Sequence, residues 1–125
     1  MDQPKGPSIA TVIPVLNEVK HIESCLNALL HQTVSHESHM IIVMDGGSTD
    51  GTQERVQQLI ERSKASSSPR LEIYDNPGMT VAHARNLSLD YLPDSVEYII
   101  ELIGHSTVES DHIEQRLKAW KVSEN

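Results

Sequence analysis

At 125 residues and a formal charge of -8, the chain is sized for one domain with a single core, is short for a complete two-substrate enzyme, and has no lysine or arginine run. That charge, with one Trp, three Tyr and no Phe, excludes a nucleic-acid surface, which needs cations for phosphates and rings for bases. A lone cysteine, Cys25, cannot close an internal disulfide and fits a reduced, cytoplasmic setting; the polar segment Met1 to Ser8 reads as no signal peptide, and no window approaches the roughly 18 apolar residues of a membrane span.

A first strand is predicted over Ile9 to Val15, β-branched and ended or kinked at Pro14. Asn17 is placed to cap the helix that follows, whose apolar stripe is Ile22, Cys25, Leu26, Leu29 and Leu30. His31 to His39 is a polar connection. Met40 to Met44 is an unbroken apolar run, the signature of a strand buried on both faces, and it stops at Asp45. Gly46 and Gly47 then permit a tight turn with positive φ. Asp50 is the expected N-cap of a second helix, with Gln53 in a box-like position and Val56, Leu59 and Ile60 facing inward.

Ser63 to Pro69 is a serine-rich surface loop. Leu71 to Tyr74 reads as a short third strand, and Asn76, Pro77 and Gly78 supply turn chemistry directly after it. Thr80 to Leu92 has helical spacing through Val81, Ala84, Leu87 and Tyr91 until Pro93 and Asp94 stop it. Val96 to Ile103 is the fourth strand, with Glu101 as its polar intruder and Gly104 and His105 at its end. Ile113, Leu117 and Trp120 space a last helix.

Strands alternating with helices across short loops imply an α/β, Rossmann-like domain with a mainly parallel four-stranded sheet and right-handed crossovers. No internal stretch has linker composition, so residues 1–125 form one domain. In such sheets ligands bind outside the carboxyl ends of the strands. Asn17, Glu18, Asp45, Arg85 and His105 are therefore expected to converge on one edge.

Four segments carry a family resemblance: T-V-I-P-V-L-N-E at Thr11 to Glu18, I-I-V-M-D-G-G-S-T-D-G-T at Ile41 to Thr52, V-A-H-A-R-N-L-S-L at Val81 to Leu89, and Y-I-I-E-L-I-G-H-S at Tyr98 to Ser106. In this order and spacing the chain resembles the N-terminal, nucleotide-sugar-binding half of a family 2 glycosyltransferase with the GT-A fold. The resemblance implies a nucleotide-sugar donor, UDP-linked, and displacement with inversion at the anomeric carbon by an acceptor hydroxyl whose owner is undefined. It sets Pro14 to Glu18 along the nucleoside, with Glu18 near the ribose or base. Asp45 falls on the uracil imide, Gly46 where a second Asp is frequent, and Arg85 near the donor nucleotide.

The chemistry suits those roles: a carboxylate accepts from ribose hydroxyls, and a guanidinium offers a fork of donors to a phosphate. Plainer readings stand beside them. Asn17 and Glu18 also suit a helix cap and first-turn acid, Asp45 a turn residue bonding its own backbone, and Arg85 an exposed ion pair.

The fourth strand departs from the pattern. Family members place D-x-D or D-x-H there, and its acid helps hold Mg or Mn. Ile103-Gly104-His105 replaces that acid with isoleucine, which cannot ligate. His105 stays as a metal candidate, Glu101 as a substitute on the same strand face as Ile103, and the usual metal site is expected to be weakened or absent.

The family's catalytic base and acceptor-binding elements lie beyond position 125, so the resemblance covers a donor-binding half without the C-terminal acceptor half. Two rivals follow: a shortened, non-catalytic nucleotide-binding module, and an interaction domain forming a homo-oligomer over an exposed strand edge. The groups His31, His36, His39 and His21, Cys25 lack the four-ligand spacing of structural zinc, and the three loop histidines are expected in solvent. Gly46, Gly47 and Gly51 match neither G-x-G-x-x-G nor Walker A.

Overall fold

A computed structural model describes residues 6–65, 68–78 and 80–124, apart from the side chains of 121–124. Its order is β1 (Ile9–Val15), α1 (Ile22–Leu30), β2 (His39–Asp45), α2 (Thr52–Lys64), β3 (Arg70–Asp75), α3 (Val81–Ser88), β4 (Tyr98–Glu101) and α4 (His112–Glu124). The strands form one parallel sheet in the order β3-β2-β1-β4, with Ile9 opposite His39 and Tyr98, and Asp45 opposite Val15 and Asp75. The expected α/β alternation is therefore present. No described helix is long and apolar enough to cross a membrane.

Strand alternation divides the core into two layers. Ile9, Ile13, Val15, Ile41 and Val43 face α1, α2 and α4, whereas Ala10, Val12, Met40, Ile42 and Met44 face α3. All seven residues of β2 are buried, because the strand lies between β1 and β3 with helices over both faces. Ile113, Leu117 and Trp120 of α4 pack on the first layer, and Trp120 stacks on Tyr98 with ring centroids 5.1 Å apart.

Several boundaries differ from expectation. The third helix ends at Ser88, whose Oγ bonds back to the Arg85 carbonyl and competes with the helical ladder; a 3₁₀ turn over Leu89–Tyr91 follows before Pro93. So short a helix packs inward through Ala84, Leu87 and Ser88, and Val81 at its first position is 51 % exposed instead of inward. Tyr91 reaches the sheet edge and stacks on Tyr74. β4 is shorter than the apolar run: Val96 bonds the Pro93 carbonyl, and Ile103 accepts from the Ser106 amide, so both ends belong to turns.

The connection between α1 and β2 is not uniformly polar. Gln32 is buried, donating to the Ala28 and Glu109 carbonyls and accepting from the Ile113 amide at the start of α4. His31 is exposed and bonded to the Asn27 carbonyl. His39, expected in solvent, is instead inside β2 at 1 % exposure with Nε2 2.8 Å from Thr11 Oγ1. Burial, helped by neighbouring His36, lowers its pKa from 6.5 to about 4.

That depression has a definite sign. As pH falls below 6.5 the unfolded chain takes up a proton that folded His39 accepts only near pH 4, so stability is lost across that window. The shift corresponds to roughly 3 kcal/mol at full extent. Urea melts at pH 7, 5.5 and 4 should show this slope, and His39→Asn should flatten it; an unchanged slope in the variant would remove His39 as the cause.

Candidate functional site

The carboxyl ends of β1, β2 and β4 carry the sequence candidates, and hydrogen bonds tie two of the loops there into one piece. The Asn17 amide donates to Ser48 Oγ at 2.8 Å, and Asn17 Oδ1 accepts from the Thr49 amide at 2.8 Å. The Glu18 amide donates to Thr52 Oγ1 at 2.9 Å, and the Val19 amide to Asp50 Oδ2 at 3.2 Å. Asn17 adopts φ of 55°, a left-handed conformation that asparagine tolerates better than most residues.

This pattern corrects three local expectations. Asn17 does not cap α1; the capping position is His21, without a side-chain bond, because Asn17 is turned toward Thr49. Gly51 at φ 100° occupies the N-cap position of α2, while Asp50, one residue earlier, bonds the Thr52 amide, the Thr52 hydroxyl and Val19. Only Gly47 of the glycine pair has positive φ, at 104°. Gly46 is buried, and its amide extends the β1–β2 pairing to the Val15 carbonyl.

Asp45 is 1 % exposed and turned back on its own turn. Oδ2 accepts from the Gly47 and Ser48 amides at 3.0 Å each and from Gln53 Nε2 at 2.5 Å, while Oδ1 accepts from Ser48 Oγ at 2.5 Å. Burial pushes its pKa up, but the Ser48 hydroxyl, the Gln53 amide and the two backbone amides outweigh it and hold the carboxyl below its ordinary value. Gln53 thus closes no capping box; it reaches Asp45.

On the far side of β1, Gly104 is buried so closely that a Cβ there would lie 2.8 Å from Val15 Cγ1 and 3.1 Å from Glu18 Cγ. This approach lets the turn after β4 bring His105 Nδ1 to 3.5 Å from Glu18 Oε1. The His21 ring meets His105 edge-on. Cys25 lies beneath, buried, with its thiol 3.8 Å from the Ile103 carbonyl and its pKa pushed up to about 11 by burial and by Glu18. It is a packed thiol rather than a nucleophile.

Pro14, Val81, Glu101, Leu102, Ile103 and Ser106 line a groove of about 350 Å³ on the α3 side. Arg85 stands beside it, its guanidinium gripping Glu101: Nε donates to Oε1, and a terminal nitrogen donates to Oε2 at 3.0 Å. The expected edge is therefore real but divided. Glu18 and His105 meet, Pro14 joins Arg85 through Glu101, and Asp45 faces α2 on the opposite side of the sheet.

The residues present do not fit a divalent cation of the expected kind. Ile103 is 54 % exposed at the position of the missing acid, Glu101 is tied to Arg85, and His105 to Glu18. Among the described residues no group of three or more His, Cys, Asp or Glu is placed to hold a metal ion. Sequence reasoning missed the loop clamp, although S-T-D-G-T, rich in short hydroxyl and carboxylate side chains, was its signal.

A four-stranded parallel sheet flanked by helices, with loops locked together at its carboxyl edge and a groove beside an arginine, is a Rossmann-like α/β fold of GT-A type. The chain belongs to glycosyl transferase family 2, whose model matches residues 10–125. It is 33 % identical over 114 residues to succinoglycan biosynthesis protein ExoA of Rhizobium meliloti (strain 1021), covering 91 % of this chain and 33 % of that protein. Among solved structures it resembles S. aureus TarS 1-349 (TM-score 0.72, 18 % identity, 89 % of this chain and 31 % of that one), a protein also solved with UDP and with UDP-GlcNAc. It likewise resembles the mannosyltransferase PcManGT of Pyrobaculum calidifontis in complex with GDP-Man and Mn2+ (TM-score 0.62, 26 % identity, 74 % of this chain and 26 % of that one). The chain spans about a third of the length of ExoA and of TarS 1-349.

Proposed function

We propose that this chain is the donor-binding part of an inverting glycosyltransferase and takes a nucleotide-sugar, UDP-linked, at the carboxyl edge of its sheet. The observation that carries the reading is the groove between Pro14 of β1 and Glu101 of β4 with Arg85 beside it, in a chain of family 2. Pro14 and the loop to Glu18 would lie along the nucleoside, Glu18 would accept from the ribose, and Arg85 would meet the diphosphate. Asp45 would meet the base only when Gln53 or Ser48 yields a bond to it; otherwise it and Gly46 hold the loop on which the base rests.

A second reading, a nucleotide-binding module without transfer, draws on Ile103 and on the Arg85–Glu101 pair, which leave the phosphate end without the usual acid. Calorimetric titration of UDP, with and without Mn2+, tests the proposal. Binding of UDP that exceeds that of AMP, and that Arg85→Ala weakens by about tenfold, is expected. Equal or absent binding of both nucleotides would overturn it.

A further inference from the structure

Glu101 lines the groove and holds Arg85, the side chain that the donor reading assigns to the diphosphate. Its two carboxylate oxygens take two donors of Arg85, the fork-to-fork geometry that a phosphate also offers. The pair joins α3 to β4, with Glu101 lining the groove and Arg85 reached through it, and neither partner is sealed in: the side chains are 55 % and 34 % exposed. Exchange therefore requires only a rotamer change, not unfolding.

The rest of the groove offers a phosphate little. Pro14, Val81, Leu102 and Ile103 are apolar, Ser106 is a hydroxyl, and no lysine or arginine is among the lining residues. Ile103 supplies no ligand atom for a bridging cation. What faces a diphosphate is the Glu101 carboxylate, with the useful charge behind it and already paired.

We infer that Glu101 is the specificity-determining residue of the phosphate end: it acts as an internal counter-ion on Arg85 that a donor diphosphate must displace, so phosphate binds by exchange with a carboxylate and not through a metal bridge. This rests on the donor reading for the identity of the natural ligand. It carries a selectivity consequence of its own. A singly charged or neutral ligand gains too little from Arg85 to displace Glu101, whereas a diphosphate offers several oxygens to the freed fork.

Glu101→Gln, with Glu101→Ala as the second variant in case the first misfolds, should bind UDP about five- to tenfold more tightly than the unsubstituted chain. Uridine affinity should be unchanged, and adding Arg85→Ala should abolish the gain. Phenylglyoxal labelling mapped by mass spectrometry should modify Arg85 faster in Glu101→Gln, with the other arginines as internal references. Unchanged or weaker UDP binding in both variants, or a gain that survives Arg85→Ala, would overturn the inference while leaving the donor reading intact. If the unsubstituted chain binds no UDP, the donor reading fails by itself. Inorganic pyrophosphate on the same variants then decides the exchange: a gain dependent on Arg85 supports it, and no gain sinks it.

Discussion

Asp45→Ala is expected to destabilise the domain by roughly 3–5 kcal/mol, the largest effect of any polar substitution at the site. The carboxylate, itself on a residue 1 % exposed, organises four donors from three residues, so its removal takes the partner at once from the Gly47 and Ser48 amides, the Ser48 hydroxyl and the Gln53 amide. Asp45→Asn keeps the volume but loses the charge and turns a donor toward other donors; roughly 2 kcal/mol is expected. Urea denaturation of both variants checks this, and a loss below about 1 kcal/mol in both would show that the turn does not lean on the carboxylate. The pH dependence has the opposite origin to that of His39. A carboxyl held below its ordinary value stabilises above that value and loses its contribution as pH falls through the folded one, so it acts at more acid pH than the His39 window.

Ile103→Asp is expected to make binding at the mouth of the groove respond to manganese. The side chain is 54 % exposed, so the swap leaves the core intact, and it restores an acid two residues before His105. An oxygen ligand there, near the Glu18–His105 pair, creates the hard-cation chemistry that isoleucine denies. UDP affinity of the variant should rise about tenfold on adding Mn2+, against less than twofold for the unsubstituted chain. Isothermal titration at matched ionic strength reads both values. Absence of a manganese effect in the variant would mean that His105 and Glu18 are not oriented to share an ion.

The sheet was legible because its signals are redundant. Met40 to Met44 is apolar at every position, and only a strand covered on both faces uses such a run; β2 proved to be that strand, extended by one residue at each end. The stripe Ile22, Cys25, Leu26, Leu29 and Leu30 fixed α1 in the same way, and all five are buried. Legibility failed where a polar side chain chose between partners close in sequence and partners distant from it. Asn17 had a good local capping role and instead bonds the loop on the other strand, about 30 residues away, while Asp50 keeps local bonds to Thr52 and spends its second oxygen on Val19 across the same gap.

Arg85 shows the same limit. Its helix and its exposure followed from the sequence, but its partner did not, because whether α3 presents it to Glu101 depends on where β4 ends. Val81 was misplaced for a related reason: periodicity names a face, and a helix of eight residues is too short for all of that face to touch the sheet.

On the donor reading proposed above, the clamp between residues 17–19 and 48–52 gives the nucleoside side and the phosphate side of the site different freedom to move. The loops that would lie along the nucleoside are cross-braced, so a nucleoside bound there would lose little to ordering of the chain. Adaptation would fall to the other side, where the two-turn helix α3 is joined to the last residue of β4 by a solvent-accessible ion pair and the 102–106 bend follows directly. Differences in which ligands the cleft admits should accordingly be written into α3 and the 102–106 bend, with the braced loops serving as the fixed reference against which they shift.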